Sequence, residues 1–169
     1  MEVTDNLTCP ACDNTLTQIK VSNIVVDICQ NGCGGIWFDK NELKNFDEKH
    51  ELADMLLNIK KNDNVQVDYK RDRKCPRCDI KLFRHFSSIK MKIEIDECSK
   101  CEGFWLDDKE LESIRNEFEN EAEKTKASEE FFHSYASKLN QDRDTAEKSW
   151  QENASWYEKL FKFIEIYLI

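Results

Sequence analysis

Eight cysteines hold the recognisable chemistry of this chain, and their surroundings repeat. Cys9 and Cys12 lie in "CPACDNTL", and Cys29 and Cys33 in "CQNGCGGIWFDKNEL". Cys75 and Cys78 lie in "CPRCDIKL", and Cys98 and Cys101 in "CSKCEGFWLDDKEL". The first set reads C-x2-C-x16-C-x3-C and the second C-x2-C-x19-C-x2-C, so no cysteine is left over. Two cysteine pairs with roughly 15 to 20 residues between them form the pattern of a four-thiolate zinc site. A two-residue gap turns the chain tightly enough for both sulfurs to face one ion at about 2.3 Å. The longer gap must bring the second pair back to the same ion. With four thiolates no coordination position stays open for water, so the sites read as structural rather than catalytic, and the chain as a non-enzyme.

Three other uses of the thiols compete with zinc. Disulfides need an oxidising compartment, and "MEVTDNLTCPAC" has no basic region followed by an apolar stretch such as a secretory signal shows. A cytoplasmic setting, with reduced thiols, is therefore the expectation. A rubredoxin-like iron site uses similar paired knuckles, and thiolate softness alone does not separate iron from zinc. A thiol-redox pair belongs at a helix start in a βαβ unit, which the flanking residues do not supply.

The elements that must position the thiols follow from the same repeat. "TLTQIKVSNIVVDIC" is rich in β-favouring residues around a Ser22-Asn23 turn and predicts a hairpin. "SSIKMKIEIDEC" alternates Ile89, Met91, Ile93 and Ile95 with charges and predicts a strand with one wet face. After the second knuckle, Asp39 with Glu42 and Asp107 with Glu110 stand as N-cap and N3 of a helix. Leu43, Phe46, Ala53 and Leu56, and then Leu111, Ile114 and Phe118, continue at helical spacing. Gly35 and Gly103 read as turns close to the thiolates, and Trp37 and Trp105 as packing between ribbon and helix. A unit of about 40 residues buries too little apolar surface to fold alone, so zinc is its main stabiliser.

At these motifs the chain resembles the transcription-factor-type (TFIIB-like) zinc-finger family, with two tandem zinc ribbons over about residues 7–47 and 73–115. The resemblance implies one zinc on Cys9, Cys12, Cys29 and Cys33 and another on Cys75, Cys78, Cys98 and Cys101. It also implies a link to nucleic acid, by analogy with the namesake. Two features depart from the family pattern: three residues separate Cys29 from Cys33, and Glu102 stands where a glycine pair would begin.

The fold class expected is α+β: two small four-cysteine zinc ribbons, each a β-hairpin plus a following helix, and a C-terminal helical arm. The boundaries are 1–59 for ribbon 1, 60–74 for a basic connector, 75–124 for ribbon 2 and 125–169 for the arm. The net charge of −9 is uneven, for residues 60–92 carry eleven Lys and Arg against four Asp. Lys70, Arg71, Arg73, Lys74, Arg77, Lys81 and Arg84, interleaved with Tyr69, Phe83 and Phe86, are the candidate nucleic-acid contacts. Ion pairing within the chain explains the same charges equally well.

From Ser128 onward no Gly or Pro interrupts the chain. An amphipathic stripe runs through Phe132, Tyr135, Leu139, Ala146 and Trp150 to Tyr157, Phe161, Ile164 and Leu168, with an irregularity at Asp142 and Arg143. A break is expected there, and Ser155 with Glu158 reads as the start of a separate last helix. Trp150, Trp156, Tyr157, Phe161, Ile164 and Leu168 are the candidate partner-binding residues. The expectation is docking onto the repeats, a protein partner or a second copy. Acidic Glu158 and Glu165 fit a lipid surface poorly. The reading that results is a zinc-binding interaction adaptor with two ions per chain. A nucleic-acid-binding, transcription-associated protein and an iron or thiol-redox protein are its alternatives.

Overall fold

The computed structural model describes residues 7–47 and 53–167, with side chains described as far as 151. In the first repeat β1 (Thr17–Val21) and β2 (Ile24–Ile28) pair antiparallel around Ser22-Asn23, with Ser22 at φ 55°. β3 (Ile36–Phe38) follows the second knuckle and returns along β2. The second repeat builds β4 (Phe83–Phe86), β5 (Glu94–Glu97) and β6 (Phe104–Leu106) in the same way.

The two hairpins do not stand apart. β3 and β6 pair antiparallel, Trp37 opposite Trp105, which fuses both repeats into one six-stranded sheet of order β1-β2-β3-β6-β5-β4. The described residues up to Lys124 form one compact unit and those from Thr125 onward a second.

Alternation along the strands gives this sheet two different faces. One face sets Val21, Val26, Ile28, Ile36, Phe38, Ile95 and Leu106 against Phe46, Ala53, Leu56 and Leu111 from the segments after each knuckle. The other face centres on Trp37 and Trp105, both fully buried, with the cysteines and Leu7, Leu16 and Leu82 around them. The tryptophans thus pack across the seam between repeats, not between ribbon and helix as their sequence position suggests.

Four expectations are corrected. The helix predicted through Leu43, Phe46, Ala53 and Leu56 is a 3-10 turn at Leu43–Asn45 and a four-residue α1 (Asp54–Leu57). Three-residue spacing suits a 3-10 turn as well as an α-helix, and the Asn45 amide bonds the carbonyls of Asn41 and Glu42 (2.9 and 3.1 Å). The second repeat does make a helix, α2 (Glu110–Glu117).

The strand predicted from Ile89 is shortened to β5, because residues 87–93 loop out, with Ser87 N–H donating to Ile93 O at 2.8 Å. Lys90 leaves the sheet for the end of α2. It donates to the Glu117 carbonyl, pairs with Glu123 at 3.2 Å and lies 3.9 Å from the Phe118 ring centroid. A cation at a helix C-terminus is favoured by the exposed carbonyls there.

Segment 60–74 is no free connector. Asn31 N–H donates to Lys60 O (2.7 Å) and Asn62 N–H to Gly32 O (2.8 Å), while Val65 and Val67 pack on the cysteine-rich core.

The arm is one helix in its backbone, α3 (Glu121–Tyr167), without the break expected at Asp142 or a new start at Ser155. Its absence of Gly and Pro explains the continuity. Phe132, Tyr135, Leu139 and Trp150 are exposed, Trp150 by 74%, so the described part of the stripe is left uncovered. The side chains of Trp156, Tyr157, Phe161 and Ile164, and Leu168 altogether, lie outside the described residues. Among the described residues no helix is long and apolar enough to cross a membrane.

Candidate metal centres

Each first knuckle is a tight turn tied at its base. Cys9 N–H donates to Asn14 O (2.7 Å) and Cys75 N–H to Ile80 O (2.8 Å). The turns close through Asp13 N–H to Cys9 O and Asp79 N–H to Cys75 O, with Asp13 and Asp79 both left-handed at φ 64° and 55°. Backbone amides already aim at sulfur: Ala11 N–H at Cys9 Sγ (3.4 Å) and Cys78 N–H at Cys75 Sγ (3.3 Å). Each second knuckle is held to the following strand by Cys29 N–H to Gly35 O and Cys98 N–H to Gly103 O.

The two departures from a strict repeat have local solutions. The extra residue between Cys29 and Cys33 is absorbed at Gly32, where an added Cβ would lie 2.4 Å from Cys29 Sγ. Only a residue without a side chain fits against that sulfur. Glu102 takes a left-handed φ of 58° where Gly34 of the first repeat has 83°, and its carboxylate pairs with Lys40 at 2.7 Å.

Cys9, Cys12, Cys29 and Cys33 gather their sulfurs within 4.8 Å of one another, and so do Cys75, Cys78, Cys98 and Cys101. Separations of 3.5 Å (Cys9 to Cys33), 3.4 Å (Cys12 to Cys29) and 3.6 Å (Cys75 to Cys101) approach the tetrahedral edge of about 3.8 Å that bonds of about 2.3 Å imply. They are far longer than the S–S bond of about 2.05 Å.

The electrostatics also favour a cation. Hydrogen bonding with Cys29 and burial push the Cys9 and Cys33 thiols up, and burial does the same to Cys75 and Cys101. Cys29 falls to about 4 because Cys33 and Cys9 donate to it. Burial raises Cys98, but the N–H groups of Cys101 and Lys100 and the neighbouring sulfurs bring it down to about 7. A divalent ion is what lets the four sulfurs of a cluster ionise together. The donor set, its spacing and its charge fit zinc.

The geometry agrees with a comparison against protein families, in which residues 8–46 and 74–117 each match the model for the transcription factor zinc-finger. Both repeats belong to that family. Neither the curated proteins nor the solved structures contain a match to the chain. The two zinc fingers therefore hold two zinc ions, one on each four-cysteine set.

Around the metals the fingers share one polar device. Trp37 Nε1 donates to Asp39 Oδ1 (2.9 Å) and Trp105 Nε1 to Asp107 Oδ1 (3.0 Å). Behind each aspartate a glutamate closes the turn: Asp39 N–H donates to Glu42 (2.8 Å) and Asp107 N–H to Glu110 (2.7 Å). The predicted acidic box is thus half formed, because each aspartate side chain serves tryptophan instead of capping a helix. An arginine completes each set. Arg77 binds Asp27 (2.9 Å) and Asp39, and Arg73 binds Asp96 (2.8 Å) and Asp107 (2.6 Å). The sequence signal was present in the repeated Asp27 and Asp96, two residues before Cys29 and Cys98, and in the repeated Trp-x-Asp.

These pairings relocate the predicted nucleic-acid residues. Arg73 is buried, which removes it from any phosphate contact and corrects its assignment. Arg71 holds Asp13 (2.7 Å), Arg84 holds Asp96 (3.0 Å), Lys74 holds Asp79 (3.1 Å) and Lys81 holds Asp72 (2.8 Å). Lys70 has no ion-pair partner among the described residues. The partners are all aspartates of the same compact unit.

Burial lifts Glu110 from the ordinary carboxylate range to about 7, helped by the Asp107 charge. The folded state therefore binds its proton more tightly than the unfolded chain. The charged form costs stability above pH 7, and that cost fades as pH falls through 7 toward 4.5. Glu110→Gln keeps an acceptor for Asp107 N–H and removes the charge. It is expected to be more stable than the parent at pH 8 by on the order of 1–3 kcal/mol, with the gain lost near pH 5. Urea midpoints of both proteins at the two pH values check this, since zinc-thiolate protonation is common to both.

Proposed function

We propose that the chain is a non-enzymatic, cytoplasmic interaction module in which zinc holds a rigid double finger and the arm engages a protein partner or another copy. One observation supports this reading above the others: the finger unit satisfies its own charges, whereas the arm leaves its apolar stripe open. Six of the seven candidate phosphate-binding cations pair with aspartates of the same unit. Each four-thiolate zinc site also carries a net charge of about −2, which explains why arginines and lysines collect around the fingers of an acidic protein. On α3, by contrast, Phe132, Tyr135, Leu139 and Trp150 face solvent. Four-thiolate coordination leaves no position for substrate or water.

A nucleic-acid-binding, transcription-associated role is the second reading. It is favoured by the exposure of Tyr69, Phe83 and Phe86, because exposed rings are stacking surfaces for unpaired bases. A salt titration of binding to generic single- and double-stranded DNA and RNA separates the two. The interaction-module reading expects no binding even at low salt. Binding whose affinity falls steeply with salt, as it does when several phosphates are neutralised, would replace it with the second.

A further inference from the structure

Resting on the interaction-module reading, we propose that the partner of the arm is a second copy of this chain, and that two α3 helices pair parallel and in register.

Three observations lead there. First, α3 has 47 residues, about 70 Å at 1.5 Å per residue, and from Glu129 to Gln151 every described side chain but Phe131 is exposed. Helices of that length draw their stability from packing rather than from propensity, and among the described residues no helix is long and apolar enough to cross a membrane.

Second, the arm is nearly balanced in charge, with six basic and eight acidic residues between 125 and 169 in a chain of net charge −9. A strongly charged partner would select an arm of opposite sign. A balanced arm tolerates its own copy.

Third, the irregularity in the stripe has a sense under one arrangement. At 3.6 residues per turn Asp142 and Arg143 fall on opposite flanks of the stripe, each about 50° from its centre. In a parallel pair the two-fold axis runs along the helices, so the left flank of one copy faces the right flank of the other. Asp142 then meets Arg143 of the second copy, and Arg143 meets its Asp142, in two ion pairs at the level where apolar residues are missing. An antiparallel pair centred on the same level brings like flanks together, Asp142 against Asp142 and Arg143 against Arg143, and is repelled. The parallel register also joins the ring cluster of one copy, in which Phe131 stacks on Tyr135 and meets Phe132 edge-on, to that of the other. Leu139, Ala146 and Trp150 then each meet their own counterpart. The consequence is a four-finger assembly.

The test uses the full-length zinc-loaded protein. Sedimentation should give a dimer. Arg143→Asp sets Asp142 against a new carboxylate twice over and should weaken dimerisation roughly tenfold, with D142R/R143D restoring it. Ala146→Cys, oxidised mildly with diamide, should cross-link to its own counterpart, whereas Asp144→Cys on the outer face and the parent should not. Metal analysis and circular dichroism on each variant separate loss of pairing from loss of folding. A parent that sediments as a monomer with both zincs bound overturns the self-pairing and leaves the module reading to a different protein partner. A cross-link that forms between Leu139→Cys and Ala146→Cys chains only when they are mixed overturns the parallel register.

Discussion

Removing zinc from either finger is expected to unfold both. Structural zinc supplies on the order of 10–16 kcal/mol of apparent binding free energy per site, comparable to a small domain's entire stability of about 5–15 kcal/mol. The two sites are not independent supports. β3 and β6 are the central strands of one sheet, and Trp37 and Trp105 belong to one core with both cysteine sets. A single finger of about 40 residues has too little interior to persist beside a collapsed neighbour. Cys98→Ser should therefore cost not only the second site but also the order of β1 and β2, which contain none of its ligands. Amide resonances of Thr17–Ile28, followed during chelation and in the serine variant, report this directly. Near-ultraviolet dichroism of the buried tryptophans should vanish in the same transition. If C98S kept a native first finger with one zinc bound, the two repeats would be separate domains and the shared-core account would be wrong.

Much of this arrangement was legible in the residues, and the remainder was hidden for identifiable reasons. Cysteine spacing announced both ligand sets because metal geometry acts locally: a two-residue gap constrains where sulfurs sit whatever surrounds them. The hairpin turn at Ser22-Asn23 was readable for the same reason. The seam between β3 and β6 was not, since three-residue strands leave no periodicity, and what joins them is a relation between positions 68 residues apart, Trp37 to Trp105. Arg73 shows the same limit. Within "YKRDRK" nothing distinguishes it from Arg71, yet Arg73 is buried between Asp96 and Asp107 while Arg71 lies at the surface on Asp13. Charge pattern gave the sign of that segment, and only the folded partners decide which cation is used inside. The arm reversed the error. Its continuity follows from intrinsic helix preference, and the expected break came from giving one pair of charged residues more weight than the absence of Gly and Pro.

Gly35→Ala is expected to destabilise the finger unit by about 3 kcal/mol or more, an unusual penalty for one added methyl group. An alanine Cβ at position 35 would lie 2.2 Å from Cζ2 of Trp105 and 2.9 Å from the carbonyl oxygen of Leu106. The arrangement is reciprocal, for at Gly103 the same atom would lie 2.3 Å from Cζ2 of Trp37. Neither obstacle can retreat. Trp105 is fully buried and tied through Nε1 to Asp107, while Leu106 O belongs to the strand that pairs with β3. The glycines were read from sequence as turns near the thiolates. Their place is instead a floor on which the indole of the other repeat lies, and this is why Gly-x-Trp occurs in both copies. A double-mutant cycle isolates the contact. Trp105→Ala alone should cost about 3–5 kcal/mol through the cavity it leaves, and G35A on that background should cost far less than it does alone, because the clashing ring is gone. Chemical denaturation of the four proteins at constant free zinc measures the coupling. Strict additivity would show that Gly35 is required for its own backbone and not for the indole resting on it, and it would remove the reciprocal Gly–Trp packing from the account of why the two fingers fuse.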